Sequence, residues 1–84
     1  MSAGYDYSID RVAVATLSAG SAREQRMLLD AFDRLAQNPT IRGDYSFSDE
    51  VGRINEVLDP GDFVVTFWSD HAVRKVRILI LERT

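Results

Sequence analysis

Residues 63–81 read Phe63-Val64-Val65-Thr66-Phe67-Trp68, then Ser69-Asp70-His71-Ala72, then Val73-Arg74-Lys75-Val76-Arg77-Ile78-Leu79-Ile80-Leu81. The first six residues are β-branched or aromatic, the composition of a strand packed on a pleated surface. Ser69–Ala72 is a four-residue connection suited to an antiparallel turn, and Val73–Leu81 returns as the second strand of a hairpin. Simple alternation puts Val76, Ile78 and Ile80 on one face, with Lys75, Arg77, Leu79 and Leu81 on the other. The run Ile78–Leu81 makes this strand apolar on both faces, as if each were covered.

Upstream, Arg53–Leu58 reads as a shorter strand ended by Asp59-Pro60-Gly61, because Pro60 cannot donate a ladder hydrogen bond. Together the three segments predict an antiparallel meander. Gly43–Gly52 is polar and acidic with Tyr45 and Phe47 embedded, a loop or edge segment leading into it. Before that, Ala22–Gln37 carries Met27, Leu28, Ala31, Phe32, Leu35 and Ala36 at helical spacing, one apolar stripe. Ser21 is the N-cap, Glu24 completes a capping box, and Pro39 stops the helix. At the N-terminus Tyr5, Tyr7 and Ile9 alternate with polar residues, as a half-buried strand would. Arg11–Leu17 is open to two readings. Val12 and Val14 favour continuing the strand; the alanines and a cap at Asp10 favour a short helix.

Eighty-four residues make a single domain spanning 1–84, which buries roughly 60–65% of its unfolded surface. The chain is 45% apolar and 27% charged, which excludes a mainly disordered protein. No apolar run approaches the ~20 residues of a membrane span. Met1–Asp10 has neither a basic start nor an apolar stretch, so no signal peptide is expected and the expected compartment is the cytoplasm. The absence of cysteine removes disulfides, thiolate catalysis and cysteine-ligated zinc, and no metal or cofactor is expected. A net charge of −3 and a pI near 4.9 lack the field of a general nucleic-acid binder, although a local basic patch can still bind one.

The ordered set of motifs resembles the RelE/ParE superfamily of toxin–antitoxin toxins. Phe32-Asp33-Arg34-Leu35-Ala36-Gln37-Asn38-Pro39 looks like that family's "LxxLAxxP" close of its second helix. Gly52-Arg53 opens the next strand, and Gly61–Trp68 looks like the "GxYRxxYxV" strand. Asp70–Ile78 resembles the last strand of one branch. The resemblance implies an α+β fold, β-α-α-β-β-β, with two N-terminal helices on one face of an antiparallel four-stranded sheet. It makes Tyr5–Ile9 a strand beside the last one, and Arg11–Leu17 a helix. It also implies a small cytoplasmic bacterial toxin neutralised by a cognate antitoxin. The RelE branch cleaves messenger RNA on the ribosome as an mRNA interferase; the ParE branch poisons DNA gyrase. Fold alone does not choose between them.

RNA cleavage of this kind needs cations at the scissile phosphate and groups that move protons. The resemblance points to Arg53, Arg77 and Arg83 as catalytic cations, with His71 a proton-transfer candidate because histidine titrates near neutrality. Arg74, Lys75 and Arg77 form an RNA- or phosphate-binding patch, with Lys75, Arg77 and Arg83 on one face by alternation and Arg74 opposite. The pairing of Asp70 with His71 invites an acid–base reading. Against these stand plain alternatives: a solvated strand face that guards the edge, and an exposed turn histidine. The first meander strand offers Asn55 and Glu56 where cations are expected, Phe63 stands in place of an arginine, and no tyrosine lies near the C-terminus. Serine catalysis lacks a Gly-x-Ser-x-Gly elbow, and Asp44, Asp49 and Glu50 lack EF-hand spacing. Phe67, Trp68, Leu79 and Leu81 are expected to form a partner-binding face, because two short helices cover only one side of a sheet. An antitoxin segment or self-association would bury it; a non-enzymatic binding module on the same fold is the alternative function.

Overall fold

The computed structural model describes residues 4–40, 42–58 and 61–84. Its elements are β1 (Asp6–Ile9), α1 (Arg11–Ser18), α2 (Ala22–Gln37), β2 (Tyr45–Ser48), β3 (Ile54–Leu58), β4 (Phe63–Asp70) and β5 (Lys75–Arg83). The turn expected at Asp59-Pro60 lies outside the described residues, as do residues 1–3.

The α+β class and the two-helix layer are as expected, but the sheet is larger and mixed. Among the described residues five strands run in the order β1-β5-β4-β3-β2. β1 lies parallel to β5, and every other neighbour is antiparallel. The parallel pair follows from the helical crossover, which brings the chain back to start β2 on the far side of the sheet. The fifth strand is Tyr45–Ser48, within the segment expected to be a loop or edge. Asp49 makes it a strand: its Oδ1 accepts from the backbone N–H of Val51 and Arg53 at 3.0 Å each, closing a hairpin turn. Gly52 completes that turn at φ 80°, a conformation that side chains with a Cβ rarely adopt.

α2 begins at Ser21, where both halves of the capping box form: Glu24 N–H donates to Ser21 Oγ at 3.1 Å and Ser21 N–H to Glu24 Oε1 at 2.9 Å. Asp10 occupies the N-cap position of α1, but its side chain makes no cap hydrogen bond. The buried stripe of α2 is Leu28, Ala31, Phe32, Leu35 and Ala36; Met27 lies at its margin, 36% exposed. Of these, Leu28, Phe32 and Leu35 meet Phe63, Val65, Phe67, Val76, Ile78 and Leu81 of the sheet in one core, joined by Ala13 of α1.

The hairpin differs from simple alternation. β4 continues through Asp70, so the connection is His71–Arg74 rather than Ser69–Ala72. More consequentially, the ladder pairs Thr66 with Ile80 but Phe67 with Ile78, leaving Leu79 as an extra residue in a β-bulge. Beyond the bulge every side chain changes face. Leu81 joins the core instead of the open face, and Ile80 is turned outward, 41% exposed.

Phe67 and Leu81, expected on a partner-binding face, are therefore core residues at 1% and 2% exposure. Truncating a fully buried phenylalanine costs about 3–5 kcal/mol. Phe67→Ala is expected to lower unfolding free energy by that amount in chemical denaturation, with no partner present. Trp68→Ala, on the open face, is expected to cost clearly less.

Candidate functional site

The cationic residues singled out from the sequence do not form one patch. Register places Lys75 opposite Asp70, and Arg77 opposite Trp68, on the face away from the helices. Arg77 Nε donates to Asp70 Oδ2 at 3.1 Å. Asp70 therefore serves Arg77 and not His71. Arg74 sits in the hairpin turn at φ 56°, its guanidinium 5.6 Å from the Tyr5 ring centroid.

Arg83 is on the other side of the sheet, because the bulge at Leu79 reverses the strand's faces. Expected beside Lys75 and Arg77, it instead lies over the buried ring of Phe63 at 4.7 Å and reaches the start of α2. There its Nη1 and Nη2 donate to the two carboxylate oxygens of Glu24, at 2.5 and 3.0 Å. Such a bidentate pair is the strong form of the arginine–carboxylate contact. The Arg83 hydrogen bond, with the Ser21 N–H behind it, holds the Glu24 carboxyl far below its ordinary 4.5, at about 2. Arg83 thus ties the end of β5 to the beginning of α2.

Two of the residues expected to be catalytic do converge. Arg53 and His71 both line a cleft of about 460 Å³ at the end of the sheet where β3 starts and β4 ends. Pro39, Thr40 and Arg42 of the chain following α2 form one wall; Ile54, Glu56, Trp68 and Ser69 supply the remainder. Arg53 stacks on the Trp68 indole at 4.2 Å, an attraction worth about 0.5–2 kcal/mol. Its own carboxylate partner is distant, with Nη1 3.8 Å from Asp49 Oδ2. Desolvation alone would push the Asp49 carboxyl up. The hydrogen bonds from Arg53 N–H, Asn55 Nδ2 and Val51 N–H, with the Arg53 charge, outweigh it and hold the carboxyl below its usual range. Arg53 is therefore held against Trp68 in the lining of the cleft.

Arg42 and Glu56 were not singled out as site residues. Their placement depends on Gly43, whose N–H donates to Glu56 Oε1 at 2.8 Å. A Cβ at Gly43 would lie 2.3 Å from the Val57 carbonyl oxygen, so only glycine lets this segment rest on β3. A glycine flanked by Arg42 and Asp44 was visible in the sequence, but its contact with residue 57 was not. His71 is exposed, and its Nδ1 lies 2.9 Å from Tyr5 Oη. The cleft thus offers two guanidinium groups, a carboxylate and an imidazole. That set can hold an anion such as a phosphodiester and move protons beside it.

The open face of the sheet carries Trp68 and Leu79, both half-buried, and the exposed Tyr45, Phe47 and Ile80. Among the described residues, three buried side-chain atoms on this face, Ser8 Oγ, Asn55 Oδ1 and Trp68 Nε1, have no hydrogen-bond partner. Each such group costs roughly 1–3 kcal/mol.

No family model and no curated protein matches the sequence. Solved structures do. A chain of the archaeal RelE–RelB complex from Pyrococcus horikoshii superposes with a TM-score of 0.77 at 21% identity, covering 99% of this chain and 96% of that one. A chain of the Mycobacterium tuberculosis toxin–antitoxin complex RelBE2 gives 0.76 at 18% identity, covering 96% and 99%. One from the intact Escherichia coli RelBE complex gives 0.63 at 9% identity, covering 95% and 96%. The chain has the RelE-like fold over nearly its whole length.

Two outcomes follow. Glu24→Gln keeps the capping box but not the charge. A carboxyl whose folded value is depressed contributes stability above its unfolded value and loses it as pH falls through the folded one. The stability advantage of wild type over Glu24→Gln should therefore be constant above about pH 5, shrink below 4.5 and vanish near 2, in urea titrations across that range. Gly43→Ala should destabilise by roughly 1–3 kcal/mol in the same assay, because backbone must move.

Proposed function

We propose that this chain is the toxin of a type II toxin–antitoxin pair and that it cleaves messenger RNA at the cleft holding Arg42, Arg53, Glu56 and His71. The observation that carries the first part is the full-length likeness to chains found in three RelE–RelB complexes. The second part rests on the convergence of Arg53 and His71. In this reading Arg53 and Arg42 hold the scissile phosphate. Glu56 takes the proton of the 2′-hydroxyl as its oxygen attacks phosphorus, and His71 gives a proton to the departing 5′-oxygen. Arg83 acts as a clamp through Glu24 rather than at the phosphate, and Arg74, Lys75 and Arg77 contact RNA outside the cleft.

The antitoxin is proposed to lie on the open face, against Trp68, Leu79 and Ile80 with Tyr45 and Phe47. This face has exposed apolar side chains and unpartnered buried polar atoms, and the helices do not cover it. A second reading keeps the antitoxin and removes the chemistry: a gyrase-poisoning or catalytically decayed toxin. The replacement of expected cations by Glu56 and Phe63 and the engagement of Arg83 by Glu24 favour it.

Induced expression in a bacterial host, with growth and transcript integrity followed together, separates the two. Growth arrest with cut transcripts is expected. Arg53→Ala should slow cleavage by roughly 10²–10³-fold, the usual cost of one group stabilising transition-state charge. Arrest with intact transcripts and damaged DNA would point to gyrase; no arrest at confirmed soluble expression would leave the binding module.

A further inference from the structure

His71 is at the tip of the β4–β5 hairpin, and one contact orients it from behind. The Tyr5 hydroxyl meets its Nδ1 at 2.9 Å, and the two rings stand edge to face, 5.6 Å between centroids at 73°. Tyr5 comes from the opposite end of the chain and is itself fixed. Its N–H donates to the Ala36 carbonyl at 2.8 Å, and the next N–H, of Asp6, donates to Arg74 O at 3.2 Å. The hairpin turn is held against its own preference as well. Residues with a Cβ rarely adopt the left-handed conformation, and Arg74 does so with its guanidinium over the Tyr5 ring. Tyr5, Arg74 and His71 thus form a small braced unit whose outer member lines the cleft.

An imidazole has two distinct nitrogens, and the bond made at one sets what the other can do. With Nδ1 engaged by Tyr5, Nε2 is the nitrogen left for the cleft. We infer that Tyr5 is a positioning residue: it fixes the ring orientation and tautomer of His71, so that Nε2 is the proton-transfer atom presented to a phosphodiester beside Arg53. This rests on the RNA-cleavage reading of the cleft. In the step, the 2′-hydroxyl gives its proton to Glu56, its oxygen bonds to phosphorus, and the bond from phosphorus to the 5′-oxygen breaks. The 5′-oxygen takes the Nε2 proton of the imidazolium, leaving a neutral ring that keeps its Nδ1 proton, donated to Tyr5 Oη. A phenol at this position does the orienting work that a carboxylate does in other histidine sites.

Two readouts test the pair. The first is the ¹⁵N spectrum of the imidazole in alkaline buffer, where the ring is neutral. Wild type should show Nδ1 protonated, and Tyr5→Phe, which keeps the ring contacts, should move the population toward the Nε2 tautomer. The second is cleavage of a defined messenger RNA on translating ribosomes. His71→Ala should lower kcat by roughly 10²–10⁴-fold. Tyr5→Phe should lower kcat by about tenfold with KM unchanged and a displaced pH profile, and should add nothing in the His71→Ala background. An identical tautomer in wild type and Tyr5→Phe, or fully additive losses in the double variant, would overturn the assignment. If wild type cuts no RNA, the cleavage reading fails, and the tautomer comparison alone decides whether Tyr5 orients His71.

Discussion

The β4–β5 ladder is the constraint on which the rest of the molecule depends. It is the longest pairing, it runs from Phe63↔Arg83 to Asp70↔Lys75, and it shifts register once between Thr66 and Phe67. On one side of the shift, Phe67 and Ile78 face the helices; on the other, Val65 and Leu81 do. A bulge lets both ends of a nine-residue strand contribute to the same core while twisting the sheet between them. Without the extra residue, Leu81 would leave the core and Arg83 would leave Glu24, because a one-residue slip moves every later side chain to the opposite face.

This geometry divides the positive charge of an acidic chain into separate tasks. Arg83 joins the sheet to α2, Arg77 is matched by Asp70, and Arg53 is stacked on Trp68 at the cleft rim. Guanidinium suits all three tasks because it is planar, always charged and able to bond in its plane while stacking on its face. Along the sequence Arg77 and Arg83 read as members of one cationic cluster with Arg74 and Lys75. In three dimensions a clamp and a strand-face ion pair separate those two, and Arg53 serves the cleft.

Much of the architecture was legible beforehand. The 3.6-residue spacing of Leu28, Ala31, Phe32 and Leu35 and the Ser21–Glu24 box defined α2 to its ends, because both signals are local. The hairpin was also legible, as was, through the family resemblance, the placement of the first strand beside the last; that this pair runs parallel in a sheet expected to be antiparallel was not. Tyr45–Ser48 was harder, since four residues flanked by acidic loop positions become a strand only once Asp49 folds back on Val51 and Arg53. In the candidate site, Arg53 and His71 were legible as residue types. Arg42 and Glu56 were not, because the Gly43 contact that places them joins residues fourteen apart in the chain.

Periodicity, local capping and composition, all readable along the chain, encode the α+β class, the long helix, the central hairpin and the absence of thiol chemistry. Which face each functional side chain occupies is set only by long-range packing. A bulge is one unpaired residue in a ladder, and nothing in Ile78-Leu79-Ile80-Leu81 marks which of four similar apolar residues it will be. That choice is made by the packing of Phe63, Val65 and Phe67 against Leu28, Phe32 and Leu35, a contact between strands and helices far apart in sequence. The meeting of Tyr5 with His71, 66 residues away, has the same origin.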